Sequence, residues 1–363
     1  MKSAAKNFIR QKQMRGETVR ALVECIAGGI DTKRKLMAET GFSWGSVATI
    51  TSELLEHGVI TEYKNADDRR TSHYRLTRNE YYALGADISG GSITFSLISG
   101  DGTLLETAAV DTEEEVNNGN FCDTVSAAFD EFCRKSSFDS DKILNTVLSL
   151  TGAVDCENFR WIFSPHHKQI DDCSLDVLKD ILPGSFKIEH DILSKARAIL
   201  FHHGLEDKKC VFLHVENGIG LASYSGEGFF SGSRGFSGEI GHIPYENNSS
   251  RICRCGKKGC LECFLSLDVC EKYGAGAIAD PFEFLAVTSV NLFDPEYLVA
   301  GGEAIEKMLS DAPEIWQKRI KNSTWMNAPE AFLFYRMKDC CPSYGAALGC
   351  RSDLITAIVS GLI

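Results

Sequence analysis

The chain has 363 residues, enough to bury the cores of two or three domains, and an ordinary hydrophobic content of 44%. Its formal charge is −12, yet residues 1–80 hold 14 Lys plus Arg against 10 Asp plus Glu, a net +4 that leaves −16 for the remainder. An acidic body argues against general polyanion binding, while a small basic head admits a local nucleic-acid contact. The start, MKSAAKNFIRQKQMRGETVR, is basic and polar with no apolar stretch behind it, and no window reaches the length of a membrane span. The expected location is therefore the reducing cytoplasm, where a cluster among fourteen cysteines more often means metal than disulfides.

Residues 5–27 space Phe8, Ile9, Val19, Leu22, Val23 and Ile26 as a helix would, and Gly28 and Gly29 end it. Asp31 or Thr32 caps a short helix through Leu36, Met37 and Ala38 that Gly41 stops. Ser43 is a good N-cap for a third helix, with Val47, Ile50, Leu54 and Leu55 on its inward side. This order suits a helix-turn-helix, because a recognition helix that opens in small polar residues can approach base edges closely. Trp44, Ser46, Ala48 and Thr49 fall on or near its outward side; Ser43, Trp44, Ser46 and Thr49 are the candidate DNA contacts. The segment Gly58 to Leu76 reads as two short strands around a polar loop, a wing whose Arg69 and Arg70 suit phosphate or a minor groove. The competing reading is a three-helix packing or dimerisation module with solvated arginines and Trp44 in its core.

Leu84 to Gly102 reads as strand, glycine turn and strand, and the turn with Asp87, Gly90 and Gly91 either wraps a phosphate or Mg²⁺ or is simply tight. A helix over Phe121 to Phe138, a strand over Ile143 to Leu150, and a loop with a short helix over 165–184 follow. The strand Phe186 to Glu189 ends in His190 and Asp191, directly before a helix through Ala196 and Leu200. Polar groups at the carboxyl end of a strand are where α/β proteins place chemistry, so Asp191 is either an N-cap or a general base toward a sugar hydroxyl.

Cys210 to Val215 is a buried-looking strand, and the glycine-rich run Glu216 to Gly241 fits successive turns delivering side chains to one cleft. Helices over 264–277 and 281–290 precede a strand, glycine turn and helix over Asn291 to Ala304. Gly301 and Gly302 there are a weak nucleotide signal without a GxGxxG or a Walker lysine. Residues 330–336 read as another strand and Ser343 to Ile363 as one small-residue helix. Two lobes that each open with a strand and a glycine turn are compatible with an actin-like duplicated α/β architecture.

The stretch Gly238 to Glu262 sets His242, Cys253, Cys255 and Cys260 among glycines with the spacing C-x-C-x4-C after the histidine. Thiolates and imidazole are the ligands of a closed tetrahedral zinc site; the alternative is a set of ordinary reduced cysteines. Cys263 is the spare thiol: it either replaces one of the three or, as its neighbours Leu261 and Phe264 favour, is a packed core cysteine.

Together these stretches resemble the ROK family, which groups repressors, open reading frames of unknown role and sugar kinases. The resemblance rests on FFSGSRGFSGEIGHI at 229–243 and CRCGKKGCLE at 253–262, close to a Gly-Glu-x-Gly-His segment followed by C-x-C-G-x-x-G-C-x-E; the winged head resembles the repressor branch. It implies a winged helix-turn-helix over 1–80 followed by a two-lobe actin-like (ribonuclease H-like) ATPase/sugar-kinase fold. The first lobe would be 81–193 completed by 341–363, and the second 194–340 with a zinc loop at 242–260. It further implies Zn²⁺ on His242, Cys253, Cys255 and Cys260. Sugar contacts would come from Glu239, His242 and Glu262 together with His190 and Asp191, the last in the catalytic-base position. Asp87, Gly90 and Gly91 correspond to a first phosphate segment, Gly218 to a second, and Asp294 through Gly301 and Gly302 to a part near adenosine.

The departures weaken the expectation of ATP and Mg²⁺. The family kinases carry Asp-x-Gly-Gly-Thr where this chain reads Asp87-Ile-Ser-Gly-Gly-Ser, and Gly-Thr-Gly where it reads Glu216-Asn217-Gly218. A carboxylate beside phosphates costs electrostatically unless a cation intervenes. The features predict a sugar-responsive transcription regulator of the repressor type that binds operator DNA as a homodimer or higher oligomer. The alternatives are an ATP-dependent sugar kinase with a DNA-binding head, and a regulator whose body binds a partner protein.

Overall fold

The structure, a computed structural model, describes residues 16–65, 70–77, 81–112, 114–309 and 313–360. Contacts divide the chain into two units, one of Met1–Gly152, Phe159–Glu189 and Ala346–Ile363, the other of Ala153–Asn158 and His190–Gly345.

The first unit begins with three helices, α1 (16–27), α2 (Lys33–Thr40) and α3 (Trp44–Glu56), and a hairpin of β1 (Ile60–Tyr63) and β2 (His73–Leu76). Thr32, not Asp31, caps α2, its Oγ1 accepting from the Lys35 N–H at 3.3 Å; Gly41 ends the helix at φ 70°. Asp31 instead accepts from Lys35 Nζ at 2.9 Å and lies 2.7 Å from His73 Nδ1, tying the turn to the wing. Ser43 caps α3 by accepting from the Ser46 N–H at 3.2 Å. Leu22, Leu36, Val47, Leu54 and Ile60 fill the head's core, joined by Ile355 and Val359 from the last helix of the chain. Each such burial contributes about 1.5–3 kcal/mol.

A five-stranded sheet of order β10-β6-β3-β4-β5 follows, made of β3 (Tyr82–Ser89), β4 (Ser92–Ser99), β5 (Leu104–Asp111), β6 (Ile143–Leu150) and β10 (Ser185–His190). The β3–β4 and β4–β5 pairs are antiparallel and β3–β6 is parallel. Helix α4 (Phe121–Lys135) packs on it, with Phe132 stacked on Phe95 of β4 at 5.1 Å. Between β6 and β10 lie β7 (Ala153–Asp155), the antiparallel pair β8 (Arg160–Phe163) and β9 (Asp171–Ser174), and the one-turn α5 (Leu178–Ile181). Strand β9 falls inside 165–184, where the sequence indicated only loop and short helix. Its DDCS has one apolar position, so alternation gave no signal.

In the second unit, α6 (Asp191–His202) leads to a sheet of order β12-β11-β13-β14, from β11 (Cys210–Val215), β12 (Ile219–Tyr224), β13 (Tyr297–Gly301) and β14 (Ala331–Phe334). Strands β11, β13 and β14 run parallel and β12 antiparallel, repeating the first sheet's plan of a hairpin joined to a parallel strand. Val211, Leu213 and Val215 pack on one face with α7 (Leu267–Tyr273), α8 (Ala279–Phe293), α9 (Glu303–Leu309) and α10 (Pro313–Ser323) contributing to that core. Cys210 and Phe212 pack on the other face with Ala196 and Ile199 of α6. The predicted single helix over Ser343–Ile363 is two, α11 (Pro342–Leu348) and α12 (Arg351–Ser360), broken at Gly349 and Cys350. There the N–H groups reach back only three residues, to Ala346 and Ala347. Among the described residues no helix is long and apolar enough to cross a membrane.

Candidate metal and ligand site

The glycine-rich run after β12 delivers His242 on a single 3₁₀ turn, Ile240–His242, and the chain returns through an isolated bridge between Pro244 and Cys260. Gly259 sits at φ 73° so close to the backbone that a Cβ would lie 2.0 Å from the Glu246 carbonyl oxygen, which explains a glycine there. The ligand atoms of His242, Cys253, Cys255 and Cys260 all lie within 4.8 Å of one another. Cys253 Sγ is 3.5 Å from His242 Nδ1, and Cys255 Sγ 3.7 Å from Cys260 Sγ. A tetrahedron with metal–sulfur bonds of about 2.3 Å has edges of roughly 3.8 Å, so spacing and donor chemistry both fit a bound soft cation. Cys263 stands outside the four, its backbone carbonyl accepting from Arg251 at 2.7 Å. Burial pushes the Cys253 and Cys260 thiols up. For Cys255, the Lys257 N–H and neighbouring thiols outweigh burial and bring the thiol down.

His242 turns its other nitrogen outward: Nε2 is 3.7 Å from Glu239 Oε2. Glu262 accepts from Arg254 Nε at 2.9 Å and lies against Gly218 and Gly241, where added Cβ atoms would meet its Oε2 at 3.5 and 3.6 Å. Arg254 also donates to the Asn217 carbonyl, and Asn217 Oδ1 accepts from the Asp268 N–H at 3.1 Å. Glu239, His242 and Glu262 are thus gathered at the metal loop, and the turn 216–218 is bonded to the same group.

Asp191 does not cap α6. It is the helix's first residue, with His190 in the cap position, and its Oδ2 accepts from Lys195 Nζ at 2.8 Å, one turn on. Burial opposes its charge, but the Lys195 ammonium and the adjacent His190 win and hold the carboxyl far below the usual range. Near it, on β11, His214 is kept neutral by burial. Its Nδ1 is 2.5 Å from Tyr335 Oη and its Nε2 3.4 Å from Glu216 Oε2. The Tyr335 hydroxyl, held protonated by burial, donates to Nδ1, which leaves the ring proton on Nε2 facing Glu216. That contact holds the Glu216 carboxyl down, at about 2. The turn 216–218 therefore has one end in the Asp191 neighbourhood and the other against Glu262. Lys195, His214 and Tyr335 were absent from the sequence candidates; only Lys195 left a signal, four residues after Asp191.

In the first unit, Asp87 is buried and accepts from Ser149 Oγ at 2.8 Å, Gly90 makes its turn at φ 61°, and the Gly91 carbonyl accepts from the Thr112 N–H at 2.7 Å. Gly301 and Gly302 have a packing reason: added Cβ atoms would lie 2.5 Å from the Tyr335 ring and 2.4 Å from the Val215 carbonyl oxygen. In the head, Ser43, Trp44, Ser46 and Thr49 are all exposed, Trp44 at 57%, which rules out the core reading of that tryptophan. Arg70 is exposed, and Arg69 lies outside the described residues.

The chain is similar to known proteins in both sequence and fold. It is 25% identical over 260 residues to the DNA-binding transcriptional dual regulator NagC of Escherichia coli K12, covering 69% of this chain and 62% of that one. It is 22% identical over 256 residues to the xylose repressor of Bacillus spizizenii, covering 68% and 64%. The chain thus spans under two thirds of the length of these relatives. Among solved structures, a ROK family transcriptional regulator, homolog of the E. coli MLC protein, superposes with a TM-score of 0.76 at 17% identity over 95% of this chain and 98% of that one. The fold is accordingly the two-lobe α/β, actin-like sugar-kinase architecture with a His/Cys metal-binding loop. Residues 83–275, more than half of the chain and the stretch that carries the metal loop together with Asp191, Lys195, His214 and Glu216, match the ROK family, and the chain belongs to that family.

Proposed function

We propose that the protein is a sugar-responsive, DNA-binding transcription regulator of the repressor type. One observation carries the reading: the same chain presents an exposed polar face at the start of a helix-turn-helix second helix, and a metal loop that gathers Glu239, His242 and Glu262. Two carboxylates and an imidazole accept and donate to the hydroxyls of a polyol, and the metal would fix the ring through Nδ1 while leaving Nε2 for ligand. The names of the relatives point the same way. The metal is Zn²⁺, on three thiolates and one imidazole, and its role is to fold the loop. Two recognition helices on a homodimer would read a palindrome, and the reducing cytoplasm is the compartment that suits the loop's thiolates.

The body senses without phosphorylating. Asp191, which the family resemblance sets in the position of a base, is paired with Lys195, and Glu216 puts a carboxylate in the turn that the resemblance sets against phosphate. Calorimetric titration of the zinc-loaded chain with a sugar panel, with and without ATP and Mg²⁺, tests both statements. Binding without ADP formation is the expected result; sugar-dependent ADP formation would make the body a kinase.

A further inference from the structure

The charged groups on either side of the turn 216–218 all belong to the second unit, and they do not balance. At one end Asp191 has a cation of its own, the Lys195 ammonium at 2.8 Å. At the other, Glu262 has Arg254, whose Nε is 2.9 Å from Oε1 and whose guanidinium also donates to the Asn217 carbonyl. Glu216 and Glu239 have no such partner. Among the described residues the groups within ion-pair distance of them are imidazoles, His214 at 3.4 Å and His242 at 3.7 Å, and burial keeps the His214 ring neutral. The Glu216 and Glu239 side chains are 35% and 50% exposed, so both carboxylates are open to a ligand. Four carboxylates thus stand against two cations, and each cation is already engaged.

His214 adds an independent sign of a ligand. It is only 4% exposed, and its Nε2 has no hydrogen-bond partner although it faces Glu216 Oε2. With the Tyr335 hydroxyl on Nδ1, Nε2 carries the ring proton. A buried donor beside a carboxylate acceptor, neither satisfying the other, matches a hydroxyl group, which accepts from the first and donates to the second.

We propose that this site takes an unphosphorylated sugar and that Glu216 is the residue that excludes the sugar's phosphate ester. The proposal rests on the sugar-binding reading above and names the class of sugar. A hydroxyl donates to the Glu216 carboxylate. A phosphate ester, with a charge of about −1.5 to −2 at pH 7, offers that carboxylate only acceptor oxygens and like charge. Repulsion of this kind is strongest where water is partly shut out, and the Lys195 ammonium that would offset it is bound to Asp191.

The test is calorimetric titration of the full zinc-loaded chain with glucose, N-acetylglucosamine and xylose, each beside its own phosphate ester, in the parent, in Glu216→Gln and in the charge-conserving Glu216→Asp. The parent is expected to bind one free sugar at least tenfold more tightly than the phosphate of that sugar. Glu216→Gln should narrow the gap at least threefold, and Glu216→Asp should keep it. The parent comparison needs no variant to fold. A phosphate ester bound as tightly as its free sugar, or more tightly, would overturn the proposal and leave the sugar reading standing. A gap that Glu216→Gln does not change would overturn the role of Glu216. Binding of neither form of any sugar would refute the sugar reading itself, and this inference with it.

Discussion

Lys195 holds its Nζ 2.8 Å from Oδ2 of Asp191, and the two side chains are only 14% and 13% exposed. The sign of its effect can be worked through. In the parent the folded carboxyl lies below its unfolded value of about 3.9, so the pair's contribution is complete above that pH and is lost only as pH falls through the folded value. Lys195→Met leaves burial, the largest influence on the carboxyl, opposed by His190 alone, which raises the folded value above the unfolded one and reverses the slope. The variant should lose about 3–5 kcal/mol at pH 7, the cost of an unpaired buried charge, and recover part of it at pH 5. Adding Asp191→Asn should rescue it at both pH values. Urea unfolding measures this, and an equal loss at both pH values would speak against the pair.

Tyr335→Phe conserves the ring that packs on Gly301 and removes only the hydroxyl bonded to His214. It leaves a buried ring nitrogen unsatisfied, so a loss of about 1–3 kcal/mol is expected in thermal or urea unfolding. A neutral result would mean that the imidazole finds another donor.

The metal loop should bind one zinc per chain, and Cys260→Ser should abolish it together with the loop's order, read by elemental analysis and proteolysis. The Cys253 and Cys260 thiols stand above their ordinary values without a cation, and each must lose its proton to bind. Zinc affinity measured by chelator competition should therefore fall as pH drops from 8 to 6.

In the head, Trp44 is exposed and off the core, so Trp44→Ala should leave stability within about 0.5 kcal/mol. Its affinity for a selected DNA duplex should drop about tenfold if the residue sits at base edges. Arg70→Ala should weaken binding to all sequences alike and reduce the salt slope by about 1.

Local chemistry was readable in the sequence wherever one segment carried it. Gly41 and Ser43 marked the turn between α2 and α3, and the Gly-Glu-x-Gly-His and C-x-C-x4-C spacings marked the metal loop. The Asp191 neighbourhood was legible only at Asp191 itself, because His214 comes from β11 and Tyr335 from beyond β14; their convergence is set by strand order, which no single stretch encodes. The tie between Asp31 and His73 is likewise a product of the wing folding back over 42 residues. The break at Gly349 was missed because a lone glycine in a small-residue helix is often tolerated. Ile355 and Val359 read as lobe residues, and their place in the head's core follows from tertiary packing alone.

The measurement that bears most directly on the account is DNA binding of the full zinc-loaded chain with sugar titrated in. A duplex selected from a random library is followed by fluorescence anisotropy against N-acetylglucosamine, xylose and glucose, while parallel samples with ATP and Mg²⁺ are assayed for ADP. The account expects one sugar to shift DNA affinity at least fivefold with no ADP formed. DNA binding that no sugar alters, or ADP that appears only with sugar, would contradict it.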